Sequence, residues 1–545
     1  MNPVPLAFTS HEIIDQIVAL APFGLISTPA GHDQLRAATQ ELIVLFKAEG
    51  RLDQNPAALA LNRTVDLHTE AAMARLKGRR VLVTGGAGCV GSRLIPLIAS
   101  LGAGEIALVD IADDSSTPDE LAHVKGLTTY QVDIRNTDAL DAVFASFKPE
   151  IVFHLAGIRE PGRAEAVVRD AIETNVFGTG HVVEACRKHG VEDAVYASTG
   201  KCFAYISDHV YTASKKLAEA QWVVAARNSK TTRFRCTRFT HIMENGLVAH
   251  DIVKGMADGL VSLHGPDRYF NIQNLRQATH LLVNALALAE QTPVDGFWAA
   301  VDLGWPVNTL ELALYSIDRH DSQAAVCFMG VPKGYDEAFF RGQFPWNGES
   351  QYHPLINALE APGAFSDSTG TMVGAQVQAF SEPALGIELR KLKAKLRDRA
   401  IDMAGMKGAL VNAVVGFTRS VFNEADLACL VEVLSSGAAP EWAGPRASEA
   451  ERFWLLISLL TDAVIAQARR MPGGITAQHR QKLLEVGKTL ATIDKLKFQA
   501  KSLCALLACE KPAHPQDVPA TEKPQLFPKI HSAHLADEAG KSFWN

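Results

Sequence analysis

The spacing of apolar positions changes character twice along the chain. Near the start, Thr9-Ser10-His11-Glu12 has the form of a capping box, and Leu35, Leu42, Leu45 and Phe46 recur at helical spacing. Residues 1–77 therefore read as a helical N-terminal segment. At Arg79 the helical phase stops: Arg80-Val81-Leu82-Val83-Thr84 is a short apolar run of the kind that suits a strand buried on both faces of a parallel sheet. Ile106–Asp110, Thr128–Val132, Ile151–Ala156, Ala194–Ser198 and Arg233–Phe239 repeat the signal, with helical stretches between them. That alternation predicts an α/β fold over residues 78–365, a doubly wound parallel (Rossmann) sheet carrying a small substrate-binding part. Past about residue 375 the strand signal fades. Leu385, Leu389, Leu392 and Leu396, then Leu483, Val486, Leu490 and Ile493, step at helical intervals and predict a helical C-terminal domain over 377–510. Trp454 with Leu455, Leu456, Leu459 and Leu460 reads as a helix-packing or dimer face. The segment 511–545 holds five prolines in 35 residues and is expected to be irregular.

Composition narrows the function classes. A chain of 545 residues suits two or three folded units, and 47% hydrophobic with 21% charged residues describes a soluble globular protein. Lys+Arg at 53 against Asp+Glu at 60 gives a net charge of −7, so there is no cationic excess to drive nucleic-acid binding. No window approaches the roughly 20 apolar residues of a membrane span, and Met1–Ile26 lacks a basic start before its apolar stretch, so a cytoplasmic protein is expected. The eight cysteines form no Cys-x-x-Cys pair, which argues against disulfides and zinc. The 18 histidines include no His-Glu-x-x-His, so no metal is expected.

The first strand runs directly into Gly85-Gly86-Ala87-Gly88-Cys89-Val90-Gly91-Ser92, and a helical pattern follows. Gly85, Gly88 and Gly91 permit a tight turn, close approach of a pyrophosphate and helix-on-strand packing, while the helix start offers N–H donors. Nineteen positions past Gly91, Asp110 ends the second strand, where a carboxylate can accept both hydroxyls of an adenosine ribose and repel a 2′-phosphate. NAD is thus favoured over NADP. Ile111 adjoins this contact, and Asp133 and Ile134 after the third strand face either the adenine or a plain surface turn. Tyr211-Thr212-Ala213-Ser214-Lys215 puts a phenol and an ammonium at i and i+4 on one helix face, where the cation can lower the phenol pKa. Ser198, Thr199 and Lys201 stand at the end of the fifth strand, at the edge where such sheets bind ligands.

With these motifs in view, the chain resembles the extended short-chain dehydrogenase/reductases, and more narrowly the CapD-like polysaccharide-biosynthesis enzymes, which are nucleotide-sugar 4,6-dehydratases and epimerases. The resemblance spans about residues 75–360 and rests on Leu76 to Gly86, Phe153-His154-Leu155-Ala156-Gly157, Thr174 to Thr179, Ser198 to Lys201, Tyr211 to Lys215, Arg238-Phe239, Asp302 to Val307 and Gly330 to Glu337. It implies that Tyr211 is the base, Lys215 its partner and a nicotinamide-ribose contact, and Thr199 the hydroxyl that aligns the substrate alcohol. It further implies that Leu155, Ala156 and Gly157 border the cofactor, that Asn175 supports the lysine, and that His241, Asn245 and Arg268 lie on the substrate side. Where the family reads Thr-Asp-Lys or Thr-Asp-Glu, this chain has Thr199-Gly200-Lys201. The acid for a departing hydroxyl is missing there, and Lys201 falls where relatives place the base acting at C5. The expectation is an NAD-dependent nucleotide-sugar dehydratase or epimerase that assembles as a dimer, and in which Gly200→Asp would raise dehydration provided the new carboxyl reaches the C6 oxygen. A net oxidoreductase on a non-sugar alcohol and a non-catalytic NAD-binding assembly protein stay open as alternatives.

Overall fold

The computed structural model describes residues 9–25, 29–113, 118–245, 247–344, 353–439 and 447–509. The segment 511–545 lies outside them. Numbering only the strands of the main sheet, β1 is Arg80–Thr84, β2 Glu105–Asp110, β3 Leu127–Gln131, β4 Ile151–His154, β5 Asp193–Thr199, β6 Arg233–Phe239, β7 Gly296–Ala300, β8 Phe365–Ser366 and β9 Met372–Gln376. Across the sheet the order is β8-β9-β7-β6-β5-β4-β1-β2-β3. The seven strands from β3 to β7 are parallel, and β9 and β8 close the far edge in antiparallel pairings.

Val81, Leu82 and Val83 are fully buried, as a strand covered by helices on both faces must be. β1 is flanked by β2 on one side and β4 on the other, so the direction of winding reverses there and the two adjoining loops part. A crevice opens at the carboxyl ends of the strands, where doubly wound sheets hold their ligands.

A second, separate core lies on the substrate side. It packs the helices Ser10–Leu20, Pro29–Ala48 and Thr309–Arg319 around a parallel pair, Leu260–Leu263 with Ala325–Phe328. The capping box is formed: Glu12 N donates to Thr9 Oγ1 at 3.3 Å, and Thr9 N to Glu12 Oε2 at 2.7 Å. Thr39 Oγ1 accepts from Val326 N at 3.0 Å, which stitches a helix to the strand pair. The N-terminal segment is not one unit, because Val65, Ala72 and Leu76 join the core of the main sheet instead.

Among the described residues, seven α-helices lie between Glu382 and Cys509. Leu385, Leu392, Leu396, Leu483, Val486, Leu490 and Ile493 are buried and Leu389 half-buried; Leu456, Leu459 and Leu460 turn inward as helix-packing residues, while Trp454 and Leu455 are half-buried. These helices have no core of their own: their apolar faces are continuous with the core of the sheet. Arg169 fastens the junction, donating to the carbonyls of Leu396 (2.9 Å), Asp398 (2.8 Å) and Ile401 (2.6 Å). Among the described residues no helix is long and apolar enough to cross a membrane.

Candidate active site

One cleft of about 1260 Å³ runs along the carboxyl ends of the strands from the glycine turn to the second core. Its floor begins at Gly85, whose φ of +72° is left-handed. A Cβ there would lie 2.7 Å from Ala156 N, and one on Gly91 would lie 2.6 Å from Gly85 O, so turn, helix and β4 loop close up only around bare glycine. The helix Cys89–Ser100 starts at this point with Gly88 as its N-cap and no capping side chain, leaving first-turn N–H groups directed at the cleft. Asp110 Oδ2 accepts from Ala87 N at 3.0 Å and its Oδ1 from Ala112 N at 3.2 Å, which fixes the carboxylate at the cleft edge with acceptor capacity left over. Cys89, Val90, Ile111, Ile134, Leu155, Ala156 and Gly157 also line the cleft.

Asp133 lines it too, but its two oxygens are occupied by Arg135, from the backbone N at 2.9 Å and from Nε at 2.8 Å. The guanidinium holds this carboxyl below its ordinary range.

Thr199, at the end of β5, and Tyr211, in the first turn of the helix Val210–Asn228, meet through a hydrogen bond between their side chains. Burial pushes the Tyr211 phenol up to about 12 against that bond, and burial pushes Lys215 down to about 8. The expected lowering of the phenol by the lysine is not what the geometry gives. Lys215 Nζ donates to Ala197 O at 2.8 Å and sits 4.2 Å above the Tyr196 ring.

Asn175 corrects another expectation. It lies in a π-helical stretch, Ile172–Gly178, with a fully engaged side chain: Oδ1 accepts from Ile158 N (2.8 Å), and Nδ2 donates to Ile158 O (3.0 Å) and Ser214 Oγ (3.0 Å). It touches neither the lysine amine nor the cleft. It braces the β4 loop against the Tyr211 helix. Behind it a buried chain continues, from Thr179 to His154 Nε2 (3.0 Å) and from His154 Nδ1 to Thr84 (2.7 Å). Ser198 lines the cleft, with its hydroxyl meeting Cys202 Sγ at 3.4 Å and the Glu219 carboxylate.

Lys201 does face the cleft, yet as half of an ion pair, with Nζ 2.9 Å from Glu337 Oε2. Glu337 is buried and accepts also from Thr212 Oγ1 (2.8 Å) and Ser207 Oγ. Asp336 beside it takes His209 Nε2 at 2.8 Å, so the loop following Ala325–Phe328 is fastened to the cleft wall by two carboxylates. His241 lines the cleft edge-on to Phe270, and burial lowers it to about 4, so its ring is a neutral polar contact. Arg268 lines the cleft as expected. The side chain of Asn245 lies outside the described residues.

Several cleft residues carried no sequence signal. Arg159, whose charge bears on Tyr211 and His241, follows the β4 loop. Leu355 and Phe453 arrive from far along the chain, and Arg452, from the C-terminal helices, donates to Asp336 O at 3.3 Å. Glu337 stood within a recognised stretch, but its pairing with Lys201 across 136 positions is a tertiary fact.

Residues 81–334 match the family model described as polysaccharide biosynthesis protein. The chain is 28% identical over 327 residues to the probable polysaccharide biosynthesis protein EpsC of Bacillus subtilis (strain 168), covering 58% of this chain and 50% of that one. It is 26% identical over 283 residues to the capsular polysaccharide biosynthesis protein CapD of Staphylococcus aureus, covering 50% and 46%. A shorter match, 34% over 128 residues, covers 23% of this chain and 37% of a UDP-glucose 4-epimerase of Bacillus subtilis (strain 168). The chain spans about half the length of the first two of these relatives.

Proposed function

From the match of residues 81–334 to the polysaccharide biosynthesis protein family, we propose that the chain is an NAD-dependent enzyme acting on a nucleotide-diphosphate sugar through a 4-keto intermediate. The observation that carries this reading is the convergence of Thr199, Tyr211 and Lys215 beside the glycine turn in a single cleft. The residues present fit NAD. The turn excludes any Cβ at Gly85 and Gly91, the open helix start suits a pyrophosphate, and Asp110 is fixed where a 2′-phosphate would meet like charge. When bound, NAD supplies a hydride acceptor that can return what it takes.

The chain's own groups have distinct parts. Tyr211 Oη exchanges the proton of the substrate hydroxyl, and Thr199 Oγ1, already bonded to that phenol, aligns the alcohol. Lys215, one helical turn on, keeps a cation beneath the reacting centre, steadied by Ala197 O and the Tyr196 ring. Arg159 and Arg268 offer guanidinium groups along the same cleft, suited to a diphosphate.

The test is incubation of the purified chain with NAD and a panel of UDP-, GDP- and dTDP-sugars, followed by mass spectrometry. Turnover is expected with at least one sugar nucleotide. Tyr211→Phe should lower it by at least a hundredfold, in keeping with general acid–base catalysis of roughly 10²–10⁴, while NAD still binds in direct titration. Near-normal turnover in that variant would remove the catalytic reading, and tighter binding of NADP than NAD would remove the cofactor assignment.

A further inference from the structure

Residues 81–334 carry the family match, yet the wall of the cleft continues past them into the loop after Ala325–Phe328 and the C-terminal helices, through Asp336, Glu337, Arg452 and Phe453. The place of Arg452 is built. It ends the helix Ala447–Arg452, and the helix Trp454–Arg470 follows directly after Phe453. The Phe453 ring meets Phe340 edge-on, with centroids 5.5 Å apart. Phe340 is gripped in turn by two glycines: a Cβ on Gly437, at the end of the helix Leu427–Gly437, or on Gly342 would run into its ring. Leu456 and Ile457 are buried one turn further on, so the backbone that carries Arg452 is locked to the cleft wall.

The side chain, by contrast, is exposed and lightly held. Nη2 donates to Asp336 O at 3.3 Å, and among the described residues no carboxylate pairs with the guanidinium. The acids around it are engaged elsewhere. Glu451 lies 3.9 Å from Lys495 Nζ, Asp336 accepts from His209 Nε2 at 2.8 Å and from Gly334 N at 3.2 Å, and Glu337 is held by Lys201 and Thr212. Further along the cleft, Glu160 lies 4.0 Å from Arg159, and Asp251 bears on His264 and Tyr335. Because His209 and Thr212 flank Tyr211 in the chain, the contacts of Asp336 and Glu337 put the guanidinium on the Tyr211 side of the cleft. A planar fork with most of its N–H donors unused, on a fixed backbone, suits an oxyanion.

We propose that Arg452 is a substrate-binding residue supplied by the C-terminal helices, and that it takes an oxyanion of the nucleotide sugar, either a phosphate of the diphosphate or a carboxylate on the sugar. This rests on the nucleotide-sugar reading above and deepens it, since it makes the helical region beyond the family match a working part of the site. Arg452 binds and orients; it moves no proton and forms no bond.

The experiment is calorimetric titration of the full chain in the presence of NAD. The probes are free UDP, GDP and dTDP, their glucose derivatives, and UDP-glucuronate. Arg452→Met should weaken the tightest of these by about tenfold to a hundredfold, the worth of hydrogen bonds to a charged group, with NAD affinity and Tm unchanged, and Arg452→Lys should recover part of the loss. A loss already present with a free nucleoside diphosphate assigns the contact to phosphate, and a loss confined to UDP-glucuronate assigns it to the sugar carboxylate. A loss confined to the neutral sugars, or no loss with any probe the native chain binds, overturns the proposal and leaves the wider reading standing. A variant that also loses NAD affinity and melts several degrees lower would make Arg452 a structural residue and overturn the proposal as well. Binding of none of the probes by the native chain brings down both.

Discussion

His154 is a residue whose chemistry is set by its surroundings. It is wholly buried between Thr84 and Thr179 and stacked on Tyr196, and burial lowers it to about 3. The folded value lies below the unfolded one, so the unfolded chain takes up a proton that the folded chain refuses. Its contribution is complete above about pH 6.5 and is lost progressively as pH falls from there towards 3. At pH 5 the loss is about 2 kcal/mol, from 1.4 kcal/mol per pKa unit. Urea unfolding at pH 7 and pH 5 should show a fall in stability smaller by about that amount in His154→Asn; an equal fall would mean that the imidazole titrates freely. At this scale the sequence was informative about residues placed by their own motif, such as Gly85, Asp110, Thr199 and Tyr211, which line one cleft. It was silent wherever the role depends on what lies across the fold. Lys201 stands alone in the sequence and is paired with Glu337 in the fold, and Asn175 looks like a site residue until its side chain is seen to brace the β4 loop.

Among the elements, the glycine turn is the most exacting. Gly91→Ala would push a methyl group against Gly85 O and Gly86 Cα, both at 2.6 Å, and lever the helix Cys89–Ser100 away from β1. A weakening of NAD binding by at least tenfold is expected by calorimetric titration, together with a lower Tm. Gly408→Ala is the contrasting case, since nothing lies within 4 Å of its added Cβ and it sits inside the helix Met403–Glu424. It should stabilise the protein by about 0.5–1 kcal/mol and leave NAD binding unchanged; comparable damage in both variants would mean that the turn is not special. The first six strands were legible within a residue or two: β1, β2 and β4 are apolar runs buried on both faces, and β3, β5 and β6 recur between helical stretches. β7, β8 and β9 were not, since β9 is held to β7 by non-local antiparallel pairing, β8 is a two-residue strand and β7 opens on a glycine. Helical stripes told which face is buried but not against what, and so the C-terminal helices looked like a domain apart.

At the scale of the whole molecule, the chain is organised by two cores and not by its order in sequence. One core takes in the sheet, residues near 65–76 and the C-terminal helices; the other takes in the helices of residues 10–48 and the strand pair near 260 and 325. The cleft is walled by both, for Gly85 and Asp110 belong to the first side and Ser262, Leu263 and Thr309 to the second. With their buried residues in two separate clusters, the cores are expected to melt as two cooperative units. A molecule lying across the cleft must be released before either can unfold freely, so it couples them by its own binding energy. Differential scanning calorimetry should therefore resolve two overlapping peaks for the protein alone, drawn together as NAD and a sugar nucleotide are added. A single peak that only shifts would mean the two units already melt as one, and the ligand would then be a passenger on that transition instead of the bolt that joins its halves.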